Sequence, residues 1–403
     1  MVDGQRRSLL TVSILACLVR VMASRAEAGA AGVGAAQAAM VHVLVVGPGK
    51  ARTRPRMAAQ DARDGDIIEI AAGVYPRDAA VWTQNNLTIR GVGGRAHLRA
   101  DGAYAQGKGI WVIKGANTTI ENIEFSGARV PDENGAGIRQ EGPNLTVRNC
   151  YFHDNENGIL TGANADSEVV IENSEFGNNG HGDGQTHNMY IGEVKRFTLR
   201  ASYSHHAKIG HNVKSRAREN FILYNRIMDE QTGTASYDVD LPNGGLAYVI
   251  GNVMQKGPHA DNNTLVAYGK EGLPYPANEL YVVNNTLVND FPGGDFVSAA
   301  PGTKAVKVVN NIFAGAGVVL AGAGDTSHNL QSNDPGFVSQ ATYDFHLKPT
   351  SPAIDAGTDP GTAHGVRLVP DAQYVHPLAE QPRAVRGPID LGAFESSQPA
   401  TRE

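Results

Sequence analysis

Residues 145–152 read LTVRNCYF: apolar and polar side chains alternate, break at an Asn, and resume with an aromatic residue. The phrase returns as LTIRGV (87–92), TTIENIEF (118–125), VVIENSEF (169–176), FTLRASYS (197–204), FILYNRI (221–227), AYVIGNV (247–253), LYVVNNTL (280–287) and VKVVNNIF (306–313). The Asn position is then held by Gly91, Asn122, Asn149, Asn173, Ala201, Asn225, Asn252, Asn285 and Asn311, at intervals of 24 to 33 residues. A helical repeat would show a 3.6-residue period, whereas these segments show period two and β-branched residues. Each unit is too short to close its own core, so it must stack on its neighbours. The reading is an all-β chain, a right-handed parallel β-helix of about nine or more coils with terminal caps. Asn at a bend can stack in a ladder, its carboxamide bonding the backbone of the next coil.

The division of the chain follows. Residues 1–28 read as a signal peptide, with MVDGQRR as basic region, SLLTVSILACLV as apolar region and AEA at 26–28 before the cleavage point. The apolar run is about 12 residues, against roughly 20 needed to span a bilayer. Residues 29–70 hold an N-terminal cap, with a helix-compatible stretch at 57–62, and the first strand region. Residues 71–345 form the coils, and 346–403 a capping tail over the far end. Such ends are open strand edges and need covering. With 47 Gly and aromatics at only 6%, the composition suits short strands and turns.

Loss of residues 1–28 removes four of 35 basic and two of 41 acidic residues, leaving a charge of −8. An acidic chain is a poor general nucleic-acid binder, so any polyanion must be met by a local basic site. Of the two cysteines only Cys150 lies beyond the signal, which excludes an internal disulfide in the processed chain. The expectation is a secreted or periplasmic protein without a membrane span.

Stacking the repeats aligns GAGIRQE (135–141), NGILTG (157–162), HNMYIGE (187–193), GHNVKSR (210–216) and SYDVDLP (236–242). If Met189, Ile191, Val213, Val239 and Leu241 face the core, alternation turns Asn188, Tyr190, Asn212, Lys214, Arg216, Asp238 and Asp240 outward. Matching Val239 to Val213 needs a one-residue shift of register. Arg139 and Glu141 fall on the same face some coils earlier, and Tyr268 and Lys270 on the coil after. Such a density of ionisable groups on a rigid sheet suits a polysaccharide cleft.

GDIIEIAAGVY (65–75), the Asn-marked coils and the SPAIDAG (351–357) and DLGAFE (390–395) tail together resemble exported bacterial proteins of the right-handed parallel β-helix, pectate-lyase-like superfamily. The resemblance covers nearly the whole processed chain. It implies the fold and an acidic polysaccharide partner, and leaves the reaction open. Uronate lyases neutralise the C6 carboxylate, take the C5 proton with a base, and protonate the leaving oxygen. Lys214 fits the base, if Arg216 lowers its pKa by like-charge repulsion. Arg216 fits the charge neutraliser or the acid, Tyr190 and His211 the proton donors. Asn188, Asn212, Arg139, Asp238, Asp240, Tyr268 and His187 would line the subsites. VKSR also resembles the Lys-Ser of the alginate-lyase and chondroitinase-B-like branch. There the Arg comes from a neighbouring coil; here the next coil presents Asp238 and Asp240.

Two alternatives accompany the lyase. Asp238 and Asp240 could be the acid and base of a glycoside hydrolase, although polygalacturonase-like members place their His-Gly after the Asp cluster and this chain does not. The same pair is a candidate Ca²⁺ site. A non-catalytic carbohydrate-binding β-helix is the third reading. Under the blander view, Lys214 merely pairs with an Asp of the next coil.

Overall fold

The computed structural model describes residues 42–397, so the segment 1–28 read as a signal peptide lies outside the described residues. Within them the regular structure is almost entirely strand, with one α-helix, Pro55–Asp61, and one short 3-10 helix, Gln340–Thr342. The coil strands pair in parallel, each with the strand one coil away, in a 10-stranded and a 20-stranded sheet, and the strands after residue 336 form three antiparallel pairs. The result is an all-β parallel solenoid of about ten turns. A typical coil runs Val213–Ser215, Glu219–Leu223, Arg226–Met228. The first strand joins the smaller sheet, and the other two form two faces of the larger one, which bends between them.

Inward residues repeat from coil to coil and fill the core. On one face Val147, Ile171, Leu199, Ile222, Val249, Val282 and Val308 pair in register. On the next, Phe125, Phe152 and Phe176 stack with centroids 5.0 and 4.8 Å apart. All of these are fully buried. Each such side chain contributes about 1.5–3 kcal/mol on burial, so a slip of one coil by one residue would expose a whole row.

The bend between the two faces resolves into two adjacent rows where the sequence suggested one. The first is left-handed: Asn122, Asn149, Asn173, Ala201, Tyr224, Asn284 and Asn310 have φ between 49° and 61°. Asn tolerates this region best among side-chain-bearing residues, which explains its recurrence. The second row is one residue on and buried. Each backbone N–H donates to the side-chain oxygen one coil up, from Cys150 to Ser174, Ser202, Asn225, Asn252, Asn285, Asn311 and Asn329. Asn122, Asn149 and Asn173 thus shape the turn, whereas Asn225, Asn252, Asn285 and Asn311 form the ladder.

At the N-terminal end, helix Pro55–Asp61 begins with proline and buries Pro55, Ala58 and Ala59. The tail departs from the expected end cap and lies along the flank. Phe337, Phe345, Leu391 and Phe394 pack on the outer side of Tyr203, Met228, Val253 and Ile312. Ala363, Leu368 and Ala372 pack on Tyr224, Tyr248 and Tyr281. Arg200 pairs with Glu380 at 2.7 Å, and Asn173 Nδ2 donates to Leu378 O at 2.9 Å. No helix among the described residues is long and apolar enough to cross a membrane.

The two rows should respond differently to substitution. Asn252 Nδ2 donates to Ile222 O at 2.8 Å and Asn285 Oδ1 at 3.0 Å, while its Oδ1 accepts from Asn225. Asn252→Ala leaves buried groups unpaired and is expected to cost about 2–4 kcal/mol. Asn149→Gly, at the exposed left-handed position, is expected within about 0.5 kcal/mol of wild type. Urea denaturation with an unchanged m-value checks both; equal losses would contradict the two-row assignment.

Candidate functional site

The smaller sheet aligns Val112, Arg139, Leu160, Tyr190, Lys214, Asp240, Ala267, Ser298 and Ala321 in one row. Val213 pairs with Val239 and Lys214 with Asp240, the register the one-residue shift implied. Three consecutive strands therefore bring Tyr190, Lys214 and Asp240 side by side, roughly 5 Å apart.

Lys214 Nζ lies 3.4 Å from Asp240 Oδ2, 3.7 Å from Glu271 Oε1 and 5.7 Å from the centre of the Tyr190 ring. Arg216 is fully engaged: Nε donates to Tyr190 Oη at 2.7 Å, one terminal nitrogen to Asn243 Oδ1 at 2.5 Å, the other to Glu271 Oε2 at 2.6 Å. Burial raises Asp240 to about 6, against the pull of the Lys214 charge and hydrogen bond. Burial acts the same way on Glu271, but the Arg216 hydrogen bond and the Arg216 and Lys214 charges outweigh it and hold that carboxyl below its ordinary value. Lys214 thus sits between two carboxylates, and Glu271 lies between its ammonium and the guanidinium. The expected Lys214–Arg216 repulsion acts across that anion.

Glu271 escaped the sequence reading, as did Asn243 and Tyr275. Glu271 and Tyr275 belong to the segment 269–278, whose length makes the Asn252–Asn285 interval the longest of the series. That interval was the available signal. The segment is tied down by Tyr275, whose hydroxyl donates to Arg216 O at 2.6 Å, and by Glu271 N to Pro242 O at 2.9 Å.

The histidines sit at the corner before the strands. His187 Nδ1 accepts from His211 N–H at 3.0 Å, and His211 Nδ1 from Tyr237 N–H at 3.2 Å. A backbone donor at Nδ1 puts each ring proton on Nε2. The His211 Nε2 lies 3.4 Å from Asp240 Oδ2. Burial lowers His187 to about 3, helped by Lys214 and Arg216, and lowers His211 likewise. The expected roles change accordingly: His211 braces Asp240 rather than facing a sugar, and His187 stacks beneath it with ring centres 4.6 Å apart.

Asn188, Asn212 and Asp238 do not point outward. They precede their strands, where the chain turns inward, and all three are fully buried. Their side chains form one relay: Asn155 to Asn179 at 3.0 Å, Asn179 to Asn188 at 2.9 Å, Asn188 to Asn212 at 3.1 Å, Asn212 to Asp238 at 3.2 Å. It ends on wholly buried Lys256, 3.4 Å from Asp238 and 3.7 Å from Asp229. Two carboxylates share one ammonium, and burial, with Asp229 beside it, pushes Asp238 up to about 8 against the pull of Lys256. Asp238 is held by Lys256 and Asp240 by Lys214, so the pair converges neither on a sugar, as a hydrolase dyad would, nor on a shared Ca²⁺.

Tyr268 is also corrected. It pairs with Leu241, not Asp240, and is buried with its hydroxyl donating to Gly245 O. Ala267 takes the place expected of it. Arg139 stays in the row, half-buried, with its Nε unpartnered. Glu141 is held by Lys108 and Lys114.

The profile of the right handed beta helix region matches residues 72–334. The chain belongs to the right-handed β-helix family. The β-helix also matches the crystal structure of pectate lyase Pel9A, with a TM-score of 0.62 and 15% identity, covering 88% of this chain and 96% of that one. At that identity the likeness establishes the fold alone. No curated protein matches the β-helix by sequence.

The Asp240 shift yields a stability prediction. Its folded value of about 6 lies above the ordinary 3.8, so the folded state holds the proton more tightly. The associated stability is present below about pH 4 and lost as pH rises through about 6. Relative to Asp240→Asn, wild type should lose up to roughly 3 kcal/mol between about pH 4 and pH 7. Denaturation of both proteins across that range tests it; a difference independent of pH would contradict the assignment.

Proposed function

We propose that the protein is a polysaccharide lyase that cleaves an acidic, uronate-containing polymer by β-elimination, with Lys214 as the base. The observation that carries this is the Glu271 carboxylate held between Lys214 and Arg216, 3.7 Å from one and 2.6 Å from the other. A uronate C6 carboxylate entering the same place would displace it and meet the Arg216 guanidinium. Lys214, having first given its ammonium proton to solvent, takes the C5 proton as the free amine, and the electron pair is accommodated by the neutralised carboxylate. The bond from C4 to the leaving oxygen breaks. Tyr190 protonates that oxygen: its phenol accepts from Arg216 Nε, so its own proton is free to be donated, and the same guanidinium stabilises the phenolate that results.

Asp240, braced by His211, positions the Lys214 amine. Arg139, about 14 Å along the row at three strand spacings, would meet the carboxylate of a more distant sugar. The site is thus assigned to Lys214, Arg216 and Tyr190, with Asp240 and His211 positioning them. The apolar SLLTVSILACLV segment supports export, secreted or periplasmic, with a polysaccharide outside the cytoplasm as substrate.

Incubation with a panel of uronate polymers should raise the absorbance of the unsaturated product. Lys214→Ala should lower kcat by about 10²–10⁴-fold, and Asp238→Asn should leave the reaction type unchanged. Reducing ends without absorbance would replace elimination by hydrolysis; binding without either product would leave a carbohydrate-binding protein. A second measurement addresses the displaced anion. Glu271→Gln removes the competitor for Arg216 and should lower KM with kcat within a few fold of wild type, whereas a raised KM would contradict displacement.

A further inference from the structure

On the larger sheet, away from the Lys214 row, three successive strands bring His97, Glu124 and His153 together. They lie on Thr88–Arg99, Ile123–Ser126 and Tyr151–His153, where His97 pairs with Glu124 and His153 with Ser126. We propose that these three residues form a binding site for a borderline divalent metal ion of the Zn²⁺ class, with solvent completing the coordination.

Two imidazoles and one carboxylate are the donor set such ions take, whereas Ca²⁺ and Mg²⁺ prefer oxygen alone. The spacing agrees. Glu124 Oε1 lies 3.3 Å from His97 Nδ1 and 3.2 Å from His153 Nε2. Bonds of 2.0–2.1 Å in a tetrahedron give ligand–ligand edges of about 3.3–3.4 Å. One ligand atom from each residue lies within 4.8 Å of those of the other two.

The outer ring nitrogens are also occupied in the sense a metal requires. His153 Nδ1 is 2.8 Å from Asp154 Oδ2, and His97 Nε2 is 2.6 Å from Ser126 Oγ. The Asp154 carboxylate only accepts, so the proton is on Nδ1 and His153 Nε2 is left to coordinate. Partners of this kind fix the tautomer and orientation of metal-bound imidazoles. All three side chains are about one-fifth exposed, which leaves an open position for water. Further along the same face His205 approaches Glu175 at 3.4 Å without forming such a three-residue group.

The full chain, freed of metal with a chelator, is titrated with Zn²⁺ by calorimetry and with Co²⁺ by visible absorption. The expected result is one equivalent of Zn²⁺ and the strong visible bands of a four- or five-coordinate Co²⁺ ion. The double variant His97→Ala/His153→Ala should lose this equivalent while unfolding at the wild-type temperature in metal-free buffer. Glu124→Gln, which preserves shape, should bind at least about ten-fold more weakly, and Asp154→Asn about ten-fold, through the orientation of His153 alone. Absence of Zn²⁺ binding to wild type, stoichiometry unchanged in the double variant, or affinity unaffected by Glu124→Gln would overturn the assignment.

Discussion

The fold depends on a buried polar contact repeated from coil to coil between Cys150 and Asn329: a backbone N–H at the bend answered by a side-chain oxygen one coil up. An interior bend removes backbone groups from water, and each unpaired one costs about 1–3 kcal/mol. The strands satisfy their own backbones by pairing, but the bend cannot. The run from Cys150 through Ser174 and Ser202 to Asn329 supplies what is missing. Because each donor reads the next coil's residue, the ladder fixes register as well as satisfying the bend, and the inward apolar rows follow.

A second polar line, from Asn155 to Lys256, does comparable work at the corner beneath the candidate site. It explains why so much ionisable chemistry can sit on one short strand. Lys214 is flanked by Val213 in the core and Ser215, buried like it, and its strand is held one coil below and above by Tyr190 and Asp240. The corner immediately before it carries Asn212, bonded to both neighbours in the relay. A rigid inner polar chain thereby holds the outer charged one, which is the relation a preorganised site needs.

The fold was legible because period-two alternation and a marked bend are local signals, repeated until chance is excluded. Lys214, Tyr190 and Asp240 were legible for the same reason, since they occupy true strand positions, and Arg216 directly follows the strand of Lys214. Alternation failed at Asn188, Asn212 and Asp238, which stand where the strand has not begun and the chain is still turning. It failed at Tyr268 because the extra segment 269–278 separates that strand from its Asn mark, so the repeat gives no fixed offset there. Asn225, Asn252 and Asn285 lie one residue beyond the left-handed position that Asn122, Asn149 and Asn173 occupy, so offsets measured from one set misplace the other. Glu271 lies on the part of its coil that the repeat does not contain, so the repeat signalled only the extra length of that coil and not the residue.

Glu271 also decides how the charges balance. Without it, Lys214 and Arg216 would oppose one another across Tyr190 with only Asp240, whose ionisation burial opposes, to compensate. The resting site would carry excess positive charge on a sheet face that is largely buried, which is costly. A carboxylate supplied by a loop resolves this without becoming part of the sheet. The sheet holds Lys214, Arg216 and Tyr190 in a fixed geometry, while the anion that neutralises them comes from a half-exposed side chain. A substrate carboxylate can therefore exchange for Glu271 with little change in net charge, and the positive groups remain paired at both ends of the exchange. The opposite arrangement, with the neutralising carboxyl fully buried in the backbone corner as Asp238 is, would hold Arg216 permanently. The contrast between Asp238 and Glu271 is thus the physical difference between a structural ion pair and one that can be opened.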